Sequence, residues 1–170
     1  GFSPGFAWMP DSRTLLCRTV PAGRGKPPKR AAVPAGPHVE ESYGRAAPVL
    51  LAVKTIRQRT SSWLEIAHLI VPGHNDDLKQ TRELCAWVNK EIGPTTPVHL
   101  ARFVPAYKLD TLPQTPVPVL EDALRAARQT GLKHAYLANV APHPAANTSC
   151  PRCSRPLIER GGFDVLKRSD

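Results

Sequence analysis

The chain has 170 residues, 41% of them apolar, and carries 23 Lys and Arg against 14 Asp and Glu, a formal net charge of +9. That length supports one domain with a real core, while no apolar run is long enough to span a bilayer and Gly1 to Pro10 lacks the basic start and continuous apolar stretch of a secretory signal. The basic excess is diffuse, seven Lys/Arg to three acids in residues 1–45 and sixteen to eleven in 46–170, and with few aromatics and no recognised binding motif it argues against a nucleic-acid partner.

Residues 1–45 are rich in Pro, Gly and Arg ("VPAGRGKPPKRAAVPAGPHVEESYGR") and show no period of 2 or 3.6. Such a stretch buries too little apolar surface to offset its ordering entropy, so disorder is expected there. From Pro48 the pattern changes. "PVLLAVKTIRQRT" sets Val49, Leu50, Val53 and Ile56 on one helical stripe, with Lys54, Arg57 and Arg59 outside it. "WLEIAHLIV", Trp63 to Val71, reads as a strand buried on both faces, broken by "PGHND". Asp76 or Asp77 then caps a helix running to about Glu91, with Leu78, Leu84, Cys85 and Val88 inward and "GP" at 93–94 ending it. "PVHLARFV" at Pro97 to Val104 is a second strand. Thr115 is expected to cap a third helix with Pro116 at its first position and Gly131 at its close, and "HAYLANV", His134 to Val140, is a third strand.

Alternating helices and strands predict an α/β fold with a parallel βα array over residues 46–142. Three strands look like half of a barrel. In such barrels the chemistry lies at the C-terminal strand ends, here "PGHND", "RFVPAYK" and "NVAPH". Gly73 lets a backbone approach a ligand, and Asn75 or Asp76 can accept from ribose or amino groups, or form a turn and helix cap instead. Strand alternation forbids His99 and Arg102 from sharing a face unless a bulge intervenes. Tyr107 and Lys108 reach toward substrate or anchor their loop.

Residues 143–170 form a third region. "NTSCPRCSRPLIERGGFDV" encloses Cys150 and Cys153 in a CxxC followed by the signature of a short hairpin, one knuckle of a zinc ribbon that needs two. His143 is a loop histidine or a third ligand. Cys85, on an apolar helical stripe, belongs to the core. Ser154 stands where such knuckles carry Gly, a position that favours left-handed backbone. In the absence of a secretory signal, a CxxC points to a metal or redox site and to the cytoplasm. The opening Gly in place of Met implies a missing N-terminus.

Taken together, "WLEIAHLIVPGHNDD", "GPTTPVHLARFVPAYKLDTLPQTPV", "GLKHAYLANV" and "NTSCPRCSRPLIERGGF" resemble the C-terminal half of radical S-adenosylmethionine enzymes. The similar branch is that of the AmmeMemoRadiSam system and the pyruvate formate-lyase activating enzymes. The resemblance runs from about Pro48 to Val165. It implies the later part of a partial (β/α)6 barrel, a [4Fe–4S] cluster held by a CxxxCxxC loop, and reductive cleavage of S-adenosylmethionine to a 5′-deoxyadenosyl radical. It also implies that Pro72, Gly73, Asn75, Asp76, His99 and Arg102 help hold S-adenosylmethionine, and that Cys150 and Cys153 bind metal together with cysteines from the missing half. The sequence contains no CxxxCxxC, so the chain is expected to be a truncated or misread fragment without activity of its own. Two other readings stand beside this one: a small zinc-binding or protein-interaction module, and a basic nucleic-acid-binding protein. Exposed sheet edges would favour a partner or self-association.

Overall fold

The computed structural model describes residues 15–20, 46–106, 109–140, 142–162 and 164–169, with residues 15–20 and 46–48 as backbone. In chain order the elements are β1 (Leu15–Val20), α1 (Ala46–Arg59), β2 (Trp63–Ile70), α2 (Leu78–Glu91), β3 (Val98–Arg102), α3 (Val117–Gln129), β4 (Ala135–Ala138), a 3₁₀ turn (Pro144–Ala146), β5 (Thr148–Ser149), β6 (Pro156–Gly161) and β7 (Asp164–Arg168). The first four strands form one sheet in the order β1-β2-β3-β4, and the last three form a second, in the order β5-β6-β7. Strands β2, β3 and β4 are parallel, with Ile66 opposite Val98 and Val98 opposite Ala135.

Each helix follows from local chemistry. Asp77 caps α2 by accepting from the Lys79 backbone N–H at 2.9 Å, satisfying one of the orphan donors of the first turn. Gly93 follows the end of α2 with φ +130° and donates to Val88 O. Gly131 ends α3 with φ +89°, and a Cβ there would meet Asn89 Nδ2 at 2.9 Å. That nitrogen caps the end of α3 by donating to Thr130 O at 2.5 Å, so helix α2 closes helix α3 through a side chain that needs glycine beside it.

The core lies on one face of the sheet. Leu64, Ile66 and Ile70 of β2, Val98 and Leu100 of β3, and Ala135 and Leu137 of β4 pack with Val53 of α1, Cys85 and Val88 of α2, and Leu120, Ala123, Leu124 and Ala127 of α3. All three helices therefore cover the same face. Full burial of side chains such as Ile66, Leu100 and Leu120 contributes about 1.5–3 kcal/mol each. The expected stripe of α1 is present, with Val49, Leu50 and Ile56 packed against this core beside Val53. Outside the stripe, Lys54 pairs with Glu91 at 2.5 Å and Arg57 donates to Ile92 O at 3.1 Å.

Three expectations change. β2 is not buried on both faces: Leu64, Ile66, His68 and Ile70 are buried, whereas Glu65, Ala67 and Leu69 are half-buried, because the helices stack on one side. Thr115 does not cap α3. Pro116 occupies the cap position with extended backbone, and the Thr115 hydroxyl instead donates to Ile70 O at 2.6 Å and accepts from Phe103 N at 3.1 Å. Within the segment expected to be disordered, Leu15–Val20 forms a strand antiparallel to β2, with Cys17 opposite Ile66; the open edge of β2 supplies the ladder that the local sequence does not announce. The remainder of residues 1–45 lies outside the described residues, as do Tyr107 and Lys108.

Candidate functional site

The C-terminal strand ends are joined by side chains. Asn75 is 2% exposed, accepts from Val71 N at 2.6 Å and donates to Leu69 O at 2.8 Å, so its amide closes the turn after β2. Gly73 has φ +73° and open space where a Cβ would stand, Pro72 is half-buried and Asp76 is exposed. At the neighbouring strand end, Arg102 donates through Nε to Thr115 O at 2.8 Å. Asn139, in left-handed backbone with φ +59°, donates to Arg102 O at 3.3 Å, and the Thr115 hydroxyl ties the ends of β2 and β3 together. The result is a stitched rim in which the turn holding Pro72, Gly73 and Asp76 follows Ile70, the register partner of Arg102.

His99 is not part of that rim. The β2-β3-β4 ladder runs in continuous register, so His99 and Arg102 lie on opposite faces, as strand alternation requires. His99 heads a row on the face away from the helices. Its Nε2 donates to Glu65 Oε2 at 2.9 Å, and its ring stacks on Tyr136 with centroids 5.3 Å apart. The Tyr136 hydroxyl meets His134 Nδ1 at 3.4 Å and receives the Thr148 hydroxyl at 3.3 Å. Arg160 sits over the Tyr136 ring at 5.9 Å, donating to Thr148 Oγ1 at 2.8 Å and Ala146 O at 3.1 Å. This cation–π and hydrogen-bond cluster fastens the tail to the sheet at the N-terminal half of β4. Sequence reading passed over Glu65, Tyr136 and Arg160. The available signal was parity: Glu65 is the carboxylate at an odd position of a mostly apolar strand.

The tail carries the two cysteines. Cys150 N donates to Arg155 O and Ser154 N donates to Cys150 O, each at 2.8 Å, and Ser154 has φ +59°. The turn thus takes the left-handed conformation expected of a metal knuckle, with Ser in the place of Gly. The backbone N–H groups of Arg152 and Cys153, the Cys153 side chain and the nearby Arg155 charge hold the Cys150 thiol below its ordinary range. Cys150 is half-buried and Cys153 exposed, while Cys85 is buried and its thiol is pushed up to about 12 by that burial.

His143 does not join them: its Nδ1 accepts from Ala145 N at 3.1 Å and its Nε2 donates to Glu121 at 3.2 Å. It lines a cleft of about 360 Å³ with Glu121, Arg125, Arg128 and Pro144. Among the described residues no three His, Cys, Asp or Glu side chains converge to hold a metal ion. A [4Fe–4S] cluster with three protein thiolates therefore does not fit the described residues, whereas two thiolates at one knuckle fit half of a tetrahedral zinc site.

No family model matches the chain, and no solved structure matches it. It is similar to an uncharacterized protein of Methanocaldococcus jannaschii, with 42% identity over 118 residues, covering 69% of this chain and 35% of the relative. The chain thus spans about a third of that relative's length. No helix among the described residues is long and apolar enough to cross a membrane.

Proposed function

We propose that this chain is the C-terminal portion of a radical S-adenosylmethionine enzyme of the pyruvate formate-lyase activating type, contributing later strands of a partial (β/α)6 barrel, one side of the S-adenosylmethionine pocket and a metal-binding tail. The observation that carries the reading is the arrangement of β2, β3 and β4: parallel, adjacent in sequence order, with the two connecting helices and α1 in one core on one face. A doubly wound sheet reverses its strand order and places helices on both faces; a βα barrel advances one strand at a time with helices outside. Under this reading the row of Glu65, His99 and Tyr136 faces the barrel interior.

The chain's own contribution is binding. Gly73 leaves backbone groups open to a ligand and the exposed Asp76 carboxylate accepts from amino or ribose groups, while Arg102, on the helix-packed face, braces the adjoining strand end by donating through Nε to Thr115 O. Asn75 keeps this turn in shape through bonds to its own backbone. Among the described residues no three thiolates converge to hold a cluster, so no radical step is assigned to them.

Amide NMR during titration with S-adenosylmethionine tests the reading. Shifts are expected at residues 72–76 and around Arg102, weakened by Asp76→Asn. After anaerobic treatment with iron, sulfide and a strong reductant, no 5′-deoxyadenosine is expected. A titration that leaves those residues unmoved, or cleavage of S-adenosylmethionine by the chain alone, overturns it.

A further inference from the structure

The Cys150–Cys153 knuckle is half a site, and the described residues offer nothing to complete it. Cys85 is sealed in the core at 0% exposure. Both ring nitrogens of His143 are engaged, by Ala145 N and by Glu121. Cys17 lies in β1, opposite Ile66, at the far edge of the sheet from β4, the strand to which the tail is fastened through Tyr136 and Thr148. Three strand spacings amount to about 14 Å, whereas zinc–sulfur bonds of about 2.3 Å bring their thiolates within a few ångströms of one another. The backbone of Cys17 thus lies three strands from the one that anchors the tail.

We infer that a second copy of this chain completes the site, so that one zinc ion is held by Cys150 and Cys153 of each copy on a two-fold axis. This rests on reading the cysteine pair as a metal knuckle and is independent of the S-adenosylmethionine assignment. Three observations support it. The knuckle is exposed at the end of a hairpin, Cys153 being exposed and Cys150 half-buried, so two tips can approach each other among the described residues. Its backbone has hydrogen bonds and a left-handed residue compatible with a metal-holding turn, so it need not rearrange to bind. The charges also complement. Arg152 lies between the two cysteines and is exposed, and zinc with four thiolates carries a net charge of −2 that a guanidinium group from each copy offsets. The contact is isologous, each copy giving the same two ligands, and it closes as a dimer.

The test is zinc content and mass of the full chain, kept reduced and measured by elemental analysis and sedimentation. About half a zinc ion per chain is expected, with a dimer that becomes a monomer when a chelator removes the metal, and cobalt substitution should give the absorption bands of a tetrahedral tetrathiolate site. Cys153→Ser should abolish both zinc uptake and dimerisation with an unchanged far-ultraviolet circular dichroism spectrum, and Cys17→Ser should alter neither. One zinc ion per monomer, or loss of zinc in Cys17→Ser, overturns the bridging while leaving the knuckle a metal site. No zinc uptake at all, or iron with sulfide in its place, overturns the knuckle reading with it.

Discussion

Thr115 bears more of this structure than its place in a proline-rich loop suggests. One hydroxyl donates to Ile70 O and accepts from Phe103 N, joining two strand ends from a position that is fully buried. Thr115→Val keeps the shape and removes the hydroxyl, leaving a buried carbonyl and a buried amide unsatisfied, so a loss of about 2–4 kcal/mol is expected in denaturant unfolding, with Thr115→Ser losing far less. Ser154 offers the opposite test. Its left-handed φ of +59° costs a side-chain-bearing residue about 1 kcal/mol relative to glycine, and Ser154→Gly should stabilise the tail by that order, seen as slower amide exchange around Cys150. The two thiol environments separate chemically. Cys150, lowered by N–H groups and Arg155, should alkylate below the pH at which free cysteine reacts, while Cys85 stays protected until the chain unfolds. The Cys85 thiol is raised from 9.0 to about 12 in the fold. Its contribution to stability is therefore fully present below pH 9 and is lost as pH climbs toward 12, a decline that pH-dependent denaturation should resolve and that Cys85→Ala should reduce.

Among the elements, helices and strands with strong periodicity were legible. The stripe of Val49, Leu50, Val53 and Ile56, the Asp77 cap and the strands around Trp63–Ile70 and Val98–Arg102 follow from spacing and turn residues alone. Others were hidden because their cause lies far along the chain. Nothing near Leu15–Val20 marks a strand; it forms where the edge of β2 gives it a ladder. The Thr115 bond reaches Ile70 across 45 positions and the His99–Glu65 pair spans 34, beyond any local pattern. Alternation did place His99 and Arg102 on opposite faces. Helix α3 supplies a clear test at this scale: Leu120 is fully buried against the sheet, and Leu120→Ala should cost about 2–5 kcal/mol through lost transfer energy and the cavity left behind.

At the scale of the whole molecule, two sheets meet through few side chains, and Arg160 is central among them. It touches Tyr136, Thr148 and Ala146 O at once. Arg160→Ala should loosen the tail without melting the body: exchange of amides in β5, β6 and β7 should quicken by roughly tenfold, the effect of about 1.4 kcal/mol, while β2, β3 and β4 keep their protection. If the tail and body instead lose protection together, the two form one cooperative unit.

The sequential order of β2, β3 and β4 has a temporal meaning as well. β3 and β4 each pair with the strand synthesised just before them, so neither waits for a distant partner to emerge. The closures joining them span only a few tens of residues, which keeps their entropic cost low and favours rapid folding. A ribosome releasing this chain would thus extend the sheet in the order of translation, domain-wise growth of the kind that proceeds from the N-terminal side. The tail, anchored to β4 through Tyr136, would dock only after that strand had found its place.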